Sequence, residues 1–332
     1  MEAEKEDKVV ADGAAEERGQ RQQVAEEVKE KKNKRKRKEF APFGNYRNYY
    51  GYRIGHDLDE DPRLKVMKKE WFEGKTCLDI GCNNGIITIH IGICTVTFQF
   101  TSFRIAASWS LCSLCFEAFS RETKKFGCRS ILGIDIDSHR IEDAHWNLRK
   151  VVKMEANMKN CTKSSEPKSE ENSNGPEQIV NSSLDEEARN TSDDLPRESK
   201  DLSTVVSFQH ENFVESRHPL SARYDTILCL SVTKWVHLNW GDEGLISLFS
   251  KVWQLLQPGG VFVLEPQPWR SYQQNRLVSE TTAKNYSRII FRPQYFQEIL
   301  LDKIGFRTVE DLTSALSGAK TGFNRPVLAF YK

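Results

Sequence analysis

From residue 71 onward the sequence alternates between short apolar runs and segments with helical periodicity. Repeated strand–helix units predict an α/β fold with a mostly parallel, doubly wound sheet and helices on both faces. The predicted strands are Lys75–Ile80, Ser130–Ile136, Val205–His210, Tyr224–Leu230 and Val261–Leu264. The predicted helices are Ile86–Ile91, Ser138–Val152, with Ser138 as N-cap, and Glu243–Leu256.

The first predicted strand leads into a glycine-rich turn, Gly81-Cys82-Asn83-Asn84-Gly85, and the second ends in an acidic pair, Asp135 and Asp137. In doubly wound sheets, ligands bind beyond the carboxyl ends of the strands, and an acid after the second strand binds ribose hydroxyls. A tight turn followed by an ordinary surface acid is the simpler interpretation of either feature alone. Together with the helix stop at Pro258-Gly259-Gly260, they favour a nucleotide-type site. The GxGxxG pattern of dinucleotide-binding loops is absent, which disfavours NAD.

The spacing between the turn and the acid is anomalous. Gly81 and Asp135 are 54 positions apart, where about 20 are expected. Residues 92–123 number 32 and account for the excess. We interpret this Ser/Thr/Cys/Phe-rich segment as a translated intron or an alternative splice form, a hypothesis that transcript sequencing tests. Its charged residues, Arg104 and Glu117, argue against a membrane-spanning helix.

Two further stretches have compositions unlike a folded domain. Residues 151–204 contain no aromatic residue and carry seven Lys/Arg against twelve Asp/Glu. Such a segment buries too little apolar surface to offset its chain entropy, so we predict an internal disordered insert. Residues 1–40 are also highly charged and are predicted to form a disordered arm. Residues 41–332 are therefore expected to form a single domain around both insertions.

The net charge of +1 conceals a strongly basic run. Residues 29–38 hold eight Lys/Arg and one Glu, which indicates a nuclear address or a phosphate-binding arm, with a solvated tail as the plain alternative. The weakly positive total excludes binding by bulk charge but permits RNA binding through a local patch. The N-terminal MEAEKEDK lacks an apolar stretch, so no secretory signal is predicted and reduced thiols are expected. The Cys112/Cys115 pair has no second pair at zinc-site spacing, and no metal is expected.

Several longer blocks carry a resemblance to a known family. Leu78–Gly85 with Gly133–Asp137 resembles the S-adenosylmethionine site of class I methyltransferases, which implies a single Rossmann-like domain with a seven-stranded sheet. Further blocks are similar to the RNA 5′-methylphosphate capping enzymes, a family that caps the 7SK small nuclear RNA in animals. These blocks are Asn45–Arg53, Leu230–Gly244, Leu264–Trp269 and Gly322–Pro326. The resemblance covers about residues 43–91, 124–150 and 205–332, and it is interrupted at 92–123.

The resemblance implies which residues bind S-adenosylmethionine. Gly81, Cys82 and Asn83 would line its methionine side, and Asp135 would accept hydrogen bonds from the ribose. Ile136 and the pair Asn212 and Phe213 would surround the adenine. The remaining implied contacts are Leu230, Tyr50 and Arg63, the last binding the cofactor's carboxylate bidentately.

A terminal phosphate is already anionic, so its methylation needs positioning and charge stabilisation more than a general base. Arg53, Lys234 and His237 are candidate phosphate clamps, and Tyr49 a hydrogen-bond donor. Lys234 and His237 are three positions apart and share a face if the segment is helical. The plainer interpretations are a surface salt bridge for Arg53 and a structural role for His237. Arg325 is a further candidate, and Glu265 is assigned no chemistry.

The expected activity is methylation of the 5′-terminal phosphate of a small non-coding RNA, in the nucleus and within a ribonucleoprotein. Two alternatives stay open, namely methylation of a 5′-monophosphate on another small RNA and a non-catalytic RNA-binding subunit. A third is an inactive chain, because residues 92–123 would disturb the helix that faces the cofactor. Trp235, Trp240 and Trp269 either stack on RNA bases or belong to the core.

Overall fold

The computed structural model describes residues 41–53, 61–93, 126–163, 201–217, 222–315 and 325–332. The predicted arm 1–40 and most of the segments 92–123 and 151–204 lie outside the described residues, as does the Cys112/Cys115 pair. Contacts within the chain group residues Pro42–Lys332 into one unit.

A seven-stranded sheet forms the centre of this unit, in the order β3-β2-β1-β4-β5-β7-β6. Neighbouring strands from β3 to β5 are parallel, and β7 is antiparallel to both β5 and β6. The seven-stranded, mostly parallel sheet expected from the sequence is thereby confirmed. The strands are β1 Thr76–Ile80, β2 Ser130–Asp135, β3 Val206–His210, β4 Tyr224–Leu230, β5 Leu256–Glu265, β6 Thr308–Asp311 and β7 Leu328–Tyr331.

Helices cover both faces of the sheet. In chain order they are α1 Tyr49–Arg53, α2 Pro62–Val66, α3 Ile86–Gly92, α4 Ser138–Lys163, α5 Leu202–Val205, α6 Thr233–Leu255, α7 Trp269–Asn275, α8 Glu280–Tyr286 and α9 Phe296–Glu298. A π-helical turn, Ile299–Ile304, follows α9, and 3₁₀ turns lie at Lys69–Trp71, Pro293–Tyr295 and Thr313–Ala315.

The core divides into two layers because successive side chains of a strand point to opposite faces. Leu228 and Val263 pack in the layer that contains α3 and the first half of α4. Their strand neighbours Ile227 and Phe262 pack in the other layer, against the apolar face of α6. Strands covered on both faces are apolar at nearly every position, which is why they are recognisable in the sequence.

Two helices differ from their sequence-based predictions. Helix α4 continues to Lys163 rather than ending at Val152, so residues 153–163 were wrongly assigned to the disordered insert. A lack of aromatic residues shows that a segment builds no core, but Gly and Pro, the strongest helix breakers, are absent from this stretch. Helix α6 consists of two helical parts separated at Gly241, whose φ of 67° and ψ of −166° are not helical. The predicted helix Glu243–Leu256 corresponds to the second part, and the first part, which begins at Thr233, was not predicted.

The described residues on either side of the anomalous segment lie next to each other. The Gly127 N–H donates to the Ile93 carbonyl oxygen at 3.2 Å, directly after α3 and before β2. The unit β1–α3–β2 therefore closes across residues 94–125, and α3 is formed. The junction lies at the C-terminal end of α3, whereas the glycine turn lies at its N-terminal end.

In the described part of the chain, no helix is both long and apolar enough to cross a membrane.

Candidate active site

A cavity of about 360 Å³ opens beyond the carboxyl ends of β1, β2, β3 and β4. The sheet order reverses between β1 and β4, and such a switch point leaves a crevice because the connections leave in opposite directions. The volume lies within the range of about 300–1,000 Å³ that is usual for small-molecule sites. The fold thus places this cavity where the glycine turn and the acid were predicted to meet.

The glycine turn approaches the cavity in a conformation that needs its glycines. Gly81 and Gly85 have φ of +75° and +76°, in the left-handed region that disfavours other side chains. A Cβ on Gly85 would lie 2.5 Å from Phe208 and 2.9 Å from Ala144. The N–H groups of Gly81 and Cys82 both donate to the Ile134 carbonyl oxygen, which ties the turn to β2.

Asp135 ends β2 with a buried carboxylate that faces the cavity. Its Oδ2 accepts the Asn83 N–H and its Oδ1 accepts the Asp137 N–H, each at 2.9 Å. Each carboxylate oxygen keeps further acceptor capacity, since a carboxylate has about four lone-pair sites. Burial raises the pKa of Asp135 even so. The carboxylate is therefore a site for donors supplied by a ligand.

Asp79, on β1, is a second buried acid in the cavity wall. Thr88 of α3 donates to its Oδ2 at 2.7 Å. Burial raises the pKa of Asp79 to about 6, and this one hydrogen bond does not offset the effect. The sequence analysis assigned no role to Asp79, although an acid inside an otherwise apolar strand is a usable signal.

The opposite side of the cavity rests on a buried ion cluster of Arg53, Asp61, Arg63 and Glu265. The Glu265 carboxylate accepts from Arg53 at 2.7 Å and from Arg63 at 3.0 Å. Asp61 pairs with Arg63 at 2.8 Å and with Arg53 at 3.3 Å. Burial alone would raise the pKa of Asp61, but the two guanidinium groups outweigh it and lower the pKa to about 2. The same opposition lowers the pKa of Glu265.

Ser231 connects this cluster to the cavity. It follows β4 with a φ of 66°, a left-handed conformation that is uncommon for serine and frequent at functional sites. Its hydroxyl donates to Glu265, and Arg325 Nη1 donates to Ser231 Oγ at 2.6 Å. Arg325, just before β7, thereby reaches the cavity wall.

Lys234 brings a further cation to this side from the first turn of α6. Its Nζ donates to Ser271 Oγ at 3.0 Å and lies 4.1 Å from the centre of the Trp235 ring. Its backbone N–H donates to Gln267 Oε1 at 3.0 Å, which fixes the start of the helix next to the end of β5.

The N-terminal segment covers the cavity with aromatic side chains. The Tyr46 ring packs edge-on against Trp235, and Phe43 stacks on Trp240 at 5.8 Å. The Asn83 side chain donates to the Tyr46 carbonyl oxygen at 3.3 Å, which joins the segment to the glycine turn. Trp235 and Trp240 therefore pack against protein aromatics while they line the cavity.

Twelve of the fourteen predicted site residues line this cavity, and none of their predicted contacts with a ligand is tested by their placement. The twelve are Tyr49, Tyr50, Arg63, Gly81, Cys82, Asn83, Asp135, Ile136, Asn212, Phe213, Leu230 and Lys234.

Arg53 and His237 lie outside the cavity lining. Arg53 is buried behind it in the ion cluster, where its Nη1 donates to the Tyr49 hydroxyl at 3.2 Å. His237 is fully buried one helical turn after Lys234, with Nε2 2.6 Å from Asp242 Oδ1 and Phe291 5.3 Å from its ring. Burial lowers the pKa of His237. In this structure His237 has the structural placement that the sequence analysis kept as its alternative.

Arg63 lines the cavity, but its bidentate face is occupied. Nε and Nη2 donate to the two oxygens of Asp61 at 3.0 and 2.8 Å, and Nη1 donates to Glu265. The parallel pair of N–H groups expected to bind a ligand carboxylate thus binds Asp61 here. Among the described residues, no group of three or more His, Cys, Asp or Glu side chains is arranged to bind a metal ion.

The sequence is similar to a family profile and to several known proteins. The sequence profile of a family described as Bicoid-interacting protein 3 matches residues 224–332. A probable RNA methyltransferase of Arabidopsis thaliana is 59% identical over 283 residues, covering 85% of this chain and 78% of that protein. The U6 snRNA methylphosphate capping enzyme Amus of Drosophila melanogaster is 30% identical over 290 residues, covering 85% of this chain and 72% of that protein.

The human 7SK snRNA methylphosphate capping enzyme is 35% identical over 297 residues, and the chain spans 38% of its length. Among solved structures, the N-methyltransferase NodS of Bradyrhizobium japonicum in complex with S-adenosylhomocysteine resembles the chain with a TM-score of 0.41 and 11% identity. That match covers 84% of this chain and 90% of NodS.

Proposed function

The chain belongs to the Bicoid-interacting protein 3 family of RNA methyltransferases, and on that premise we propose that it methylates the 5′-terminal phosphate of a small non-coding RNA with S-adenosylmethionine as methyl donor. The observation that carries the proposal is a cavity lined by both buried carboxylates and cations, and we call these two sets of residues its acidic half and its basic half. The acidic half is lined by Asp79, Asp135 and Glu211, and the basic half by Arg63, Lys234 and Arg325.

The acidic half suits S-adenosylmethionine. Ribose hydroxyls are donors, and the Asp135 carboxylate has acceptor capacity beyond its two backbone N–H groups. The amino group and the sulfonium are cationic, and each is favoured near buried carboxylates whose pKa burial has raised. Gly81, Cys82 and Asn83 would hold the methionine side, and Ile136, Asn212, Phe213 and Leu230 the adenine side. When bound, the cofactor supplies a methyl group on a positively charged sulfur.

The basic half suits a terminal phosphate. Lys234 and Arg325 present cations to the cavity from two different elements, and Tyr49 adds a hydroxyl. The phosphate oxygen is already anionic at neutral pH, so no residue has to remove its proton before the methyl carbon is transferred to it. These side chains hold the oxygen in line and leave one lone pair exposed, which is how positioning accelerates a two-reactant step.

The ion cluster gives this half its rigidity. Glu265 holds Arg53 and Arg63, Arg53 holds the Tyr49 hydroxyl, and Ser231 connects Glu265 to Arg325. Arg53 is thus a positioning residue in our proposal rather than a phosphate ligand. His237 has the same kind of role, because its bond to Asp242 fixes α6 at the Gly241 kink, after Lys234.

We also propose that the RNA is held in a ribonucleoprotein in the nucleus. The basic run at 29–38 supports this part, and tracking a labelled chain with and without that run in cells tests it.

The test of the reaction is transfer of labelled methyl to one RNA sequence prepared with a 5′-hydroxyl, a 5′-monophosphate or a 5′-triphosphate end. We expect label on phosphate-ended RNA and its recovery on the 5′-terminal nucleotide after nuclease digestion. On the triphosphate RNA, a pyrophosphohydrolase that cleaves between the α and β phosphates should release the label, whereas a methylated monophosphate is a diester and should resist phosphatase. The ratio of the two phosphate arms decides between the mono- and triphosphate substrates. Equal transfer to the 5′-hydroxyl RNA, or label that stays on internal nucleotides, would contradict the proposal.

A further inference from the structure

Outside the cavity, two stacked aromatic rings with an arginine over each ring lie between α7 and α8. The Trp269 and Tyr286 rings are parallel within 15°, with centroids 5.0 Å apart. Arg292 lies over the Trp269 ring at 4.9 Å, and Arg276 over the Tyr286 ring at 5.9 Å. We call these four side chains the arginine–aromatic stack.

The stack belongs to a strongly basic surface. Between residues 269 and 292 the chain has five Lys/Arg and one Asp/Glu. All five cations are exposed, and within the described part of the chain none forms a salt bridge with a carboxylate. The five are Arg270, Arg276, Lys284, Arg288 and Arg292. A concentration of positive charge on one surface is the electrostatic footprint of a polyanion site.

The same short helix connects this surface to the cavity. Ser271 and Asn275 of α7 line the cavity, and Ser271 accepts from Lys234. Trp269 begins the helix, and Arg276 follows its last residue. A chain whose 5′ end lies beside Lys234 therefore leaves the cavity next to the arginine–aromatic stack.

We propose that the arginine–aromatic stack binds the phosphodiester backbone of the RNA substrate downstream of its 5′ end; this inference rests on the proposed function. The ligand is backbone rather than bases because the Trp269 ring already packs against Tyr286, Tyr272 and Arg292. The exposed groups of the stack are the guanidinium groups of Arg276 and Arg292, whose fork of N–H donors matches phosphate geometry. Stacking on the rings holds each guanidinium plane in place, so less side-chain freedom is lost on binding.

The test compares two substrates that share a 5′ end, a triphosphate dinucleotide and a triphosphate RNA of about 20 nucleotides. In the variant R276A/R292A we expect KM for the long RNA to rise about tenfold or more, with kcat and the dinucleotide KM unchanged. The slope of log KM against log salt for the long RNA should fall by about 1.4, since each contact to a single strand contributes about 0.7.

Two matched variants control for charge and for folding. R149A/K153A removes two exposed cations from α4 and should leave both substrates at the wild-type KM. R276K/R292K keeps the charge and should restore the salt slope. If R276A/R292A unfolds below the assay temperature, the wild-type protein still tests the inference. Its slope of log KM against log salt must be steeper with the long RNA than with the dinucleotide.

Equal salt slopes for the two RNAs in the wild type, or a long-RNA KM that the alanine pair leaves unchanged, would overturn the inference. An acidic protein segment as the true partner would give this second result. Absence of transfer to both RNAs contradicts the proposed function instead, and direct binding of the long RNA by fluorescence anisotropy then tests the surface separately.

Discussion

The two halves of the cavity treat their buried carboxylates in opposite ways. In the acidic half, burial raises the pKa of Asp79 and Asp135, and the protein compensates only part of that cost. In the basic half, the guanidinium groups of Arg53 and Arg63 overcome burial and lower the pKa of Asp61 and Glu265. The second pair holds other protein side chains, and in our proposal the first pair receives a ligand.

In our proposal, this difference lets one cavity bind two ligands of opposite charge. A carboxylate that the protein leaves partly uncompensated favours donors and cations, whereas carboxylates neutralised by arginines hold their neighbours still. Lys234 and Arg325 then face the cavity from a rigid base. Substitutions in the two halves should therefore affect different measurements.

The largest expected effect is that of Glu265→Ala on stability. It leaves Arg53 and Arg63 buried with only one of their two shared acceptors, Asp61, and breaking a buried ion pair in this way costs about 3–5 kcal/mol of the free energy of unfolding. Urea denaturation measures it. Glu310→Ala is the matched control, since its 2.8 Å bridge to Lys68 is more than one-third exposed and is worth at most about 1 kcal/mol. Equal losses of unfolding free energy in the two variants would show that the ion cluster does not stabilise the fold.

Lys234→Ala should abolish most of the methyl-transfer activity without changing cofactor binding in the acidic half. Removing one preorganised charge-stabilising group lowers kcat by about 10²–10³-fold in comparable cases. The affinity for S-adenosylhomocysteine, measured by calorimetry, should stay within about twofold of wild type. Lys150→Ala on the exposed face of α4 serves as the control. A variant that transfers methyl at the full rate would remove Lys234 from the phosphate site.

Asp79→Asn should stabilise the free protein at neutral pH. The folded-state pKa of about 6 lies above the ordinary aspartate pKa of about 3.9, so the charged form destabilises the fold at pH 7 and protonation removes that cost on acidification. The gain from the substitution is about 2–3 kcal/mol at pH 7 and fades as the pH falls from about 6 toward 4. Denaturant unfolding at three pH values measures it. A pH-independent gain would refute the raised pKa.

Asp135→Ala should lower the affinity for S-adenosylhomocysteine by about 10–100-fold, as expected for lost hydrogen bonds to a charged group. KM for the RNA should change little, because the substitution lies in the other half. Asp135→Asn keeps an acceptor for the Asn83 N–H but removes the negative charge. It therefore distinguishes an effect of the lost charge from an effect of a disturbed glycine turn. Unchanged affinity by calorimetry in both variants would exclude the ribose role.

The smallest effect on either half is expected from replacing residues 94–125 with a short Gly-Ser linker. The flanking residues Ile93 and Gly127 already meet, at the end of α3 away from the glycine turn. Closing a loop about eight times shorter should stabilise the fold by about 1–2 kcal/mol. Cofactor affinity and kcat should stay unchanged. A replacement that gains or loses activity would show that the segment reaches the site.

The places of the glycine turn and of Asp135 could be predicted from the sequence, whereas the ion cluster could not, for a physical reason. Gly81 and Asp135 each directly follow a strand, so a pattern of strands and turns fixes their place. The ion cluster joins residues from α1, α2 and β5, which are distant in the chain. No local pattern reveals that Glu265 neutralises two arginines.

His237 illustrates the same limit on one helix. It shares α6 with Lys234, and helical spacing alone suggested that both face the phosphate. Packing of Tyr272, Phe291 and Phe296 around the imidazole buries it instead, and Asp242 holds its Nε2. The length of α4 was missed for the converse reason, since a helix can continue beyond the core that its first turns bury.

The division of the cavity is tested most directly by titrating inorganic tripolyphosphate, as a probe of the basic half, into the protein saturated with S-adenosylhomocysteine. The two ligands occupy separate halves in our account, so the calorimeter should record tripolyphosphate binding with an affinity equal to or higher than that of the free protein. In Lys234→Ala this heat should disappear. Loss of tripolyphosphate binding when S-adenosylhomocysteine fills its site would mean that both anion and cofactor use one subsite, and it would contradict the account.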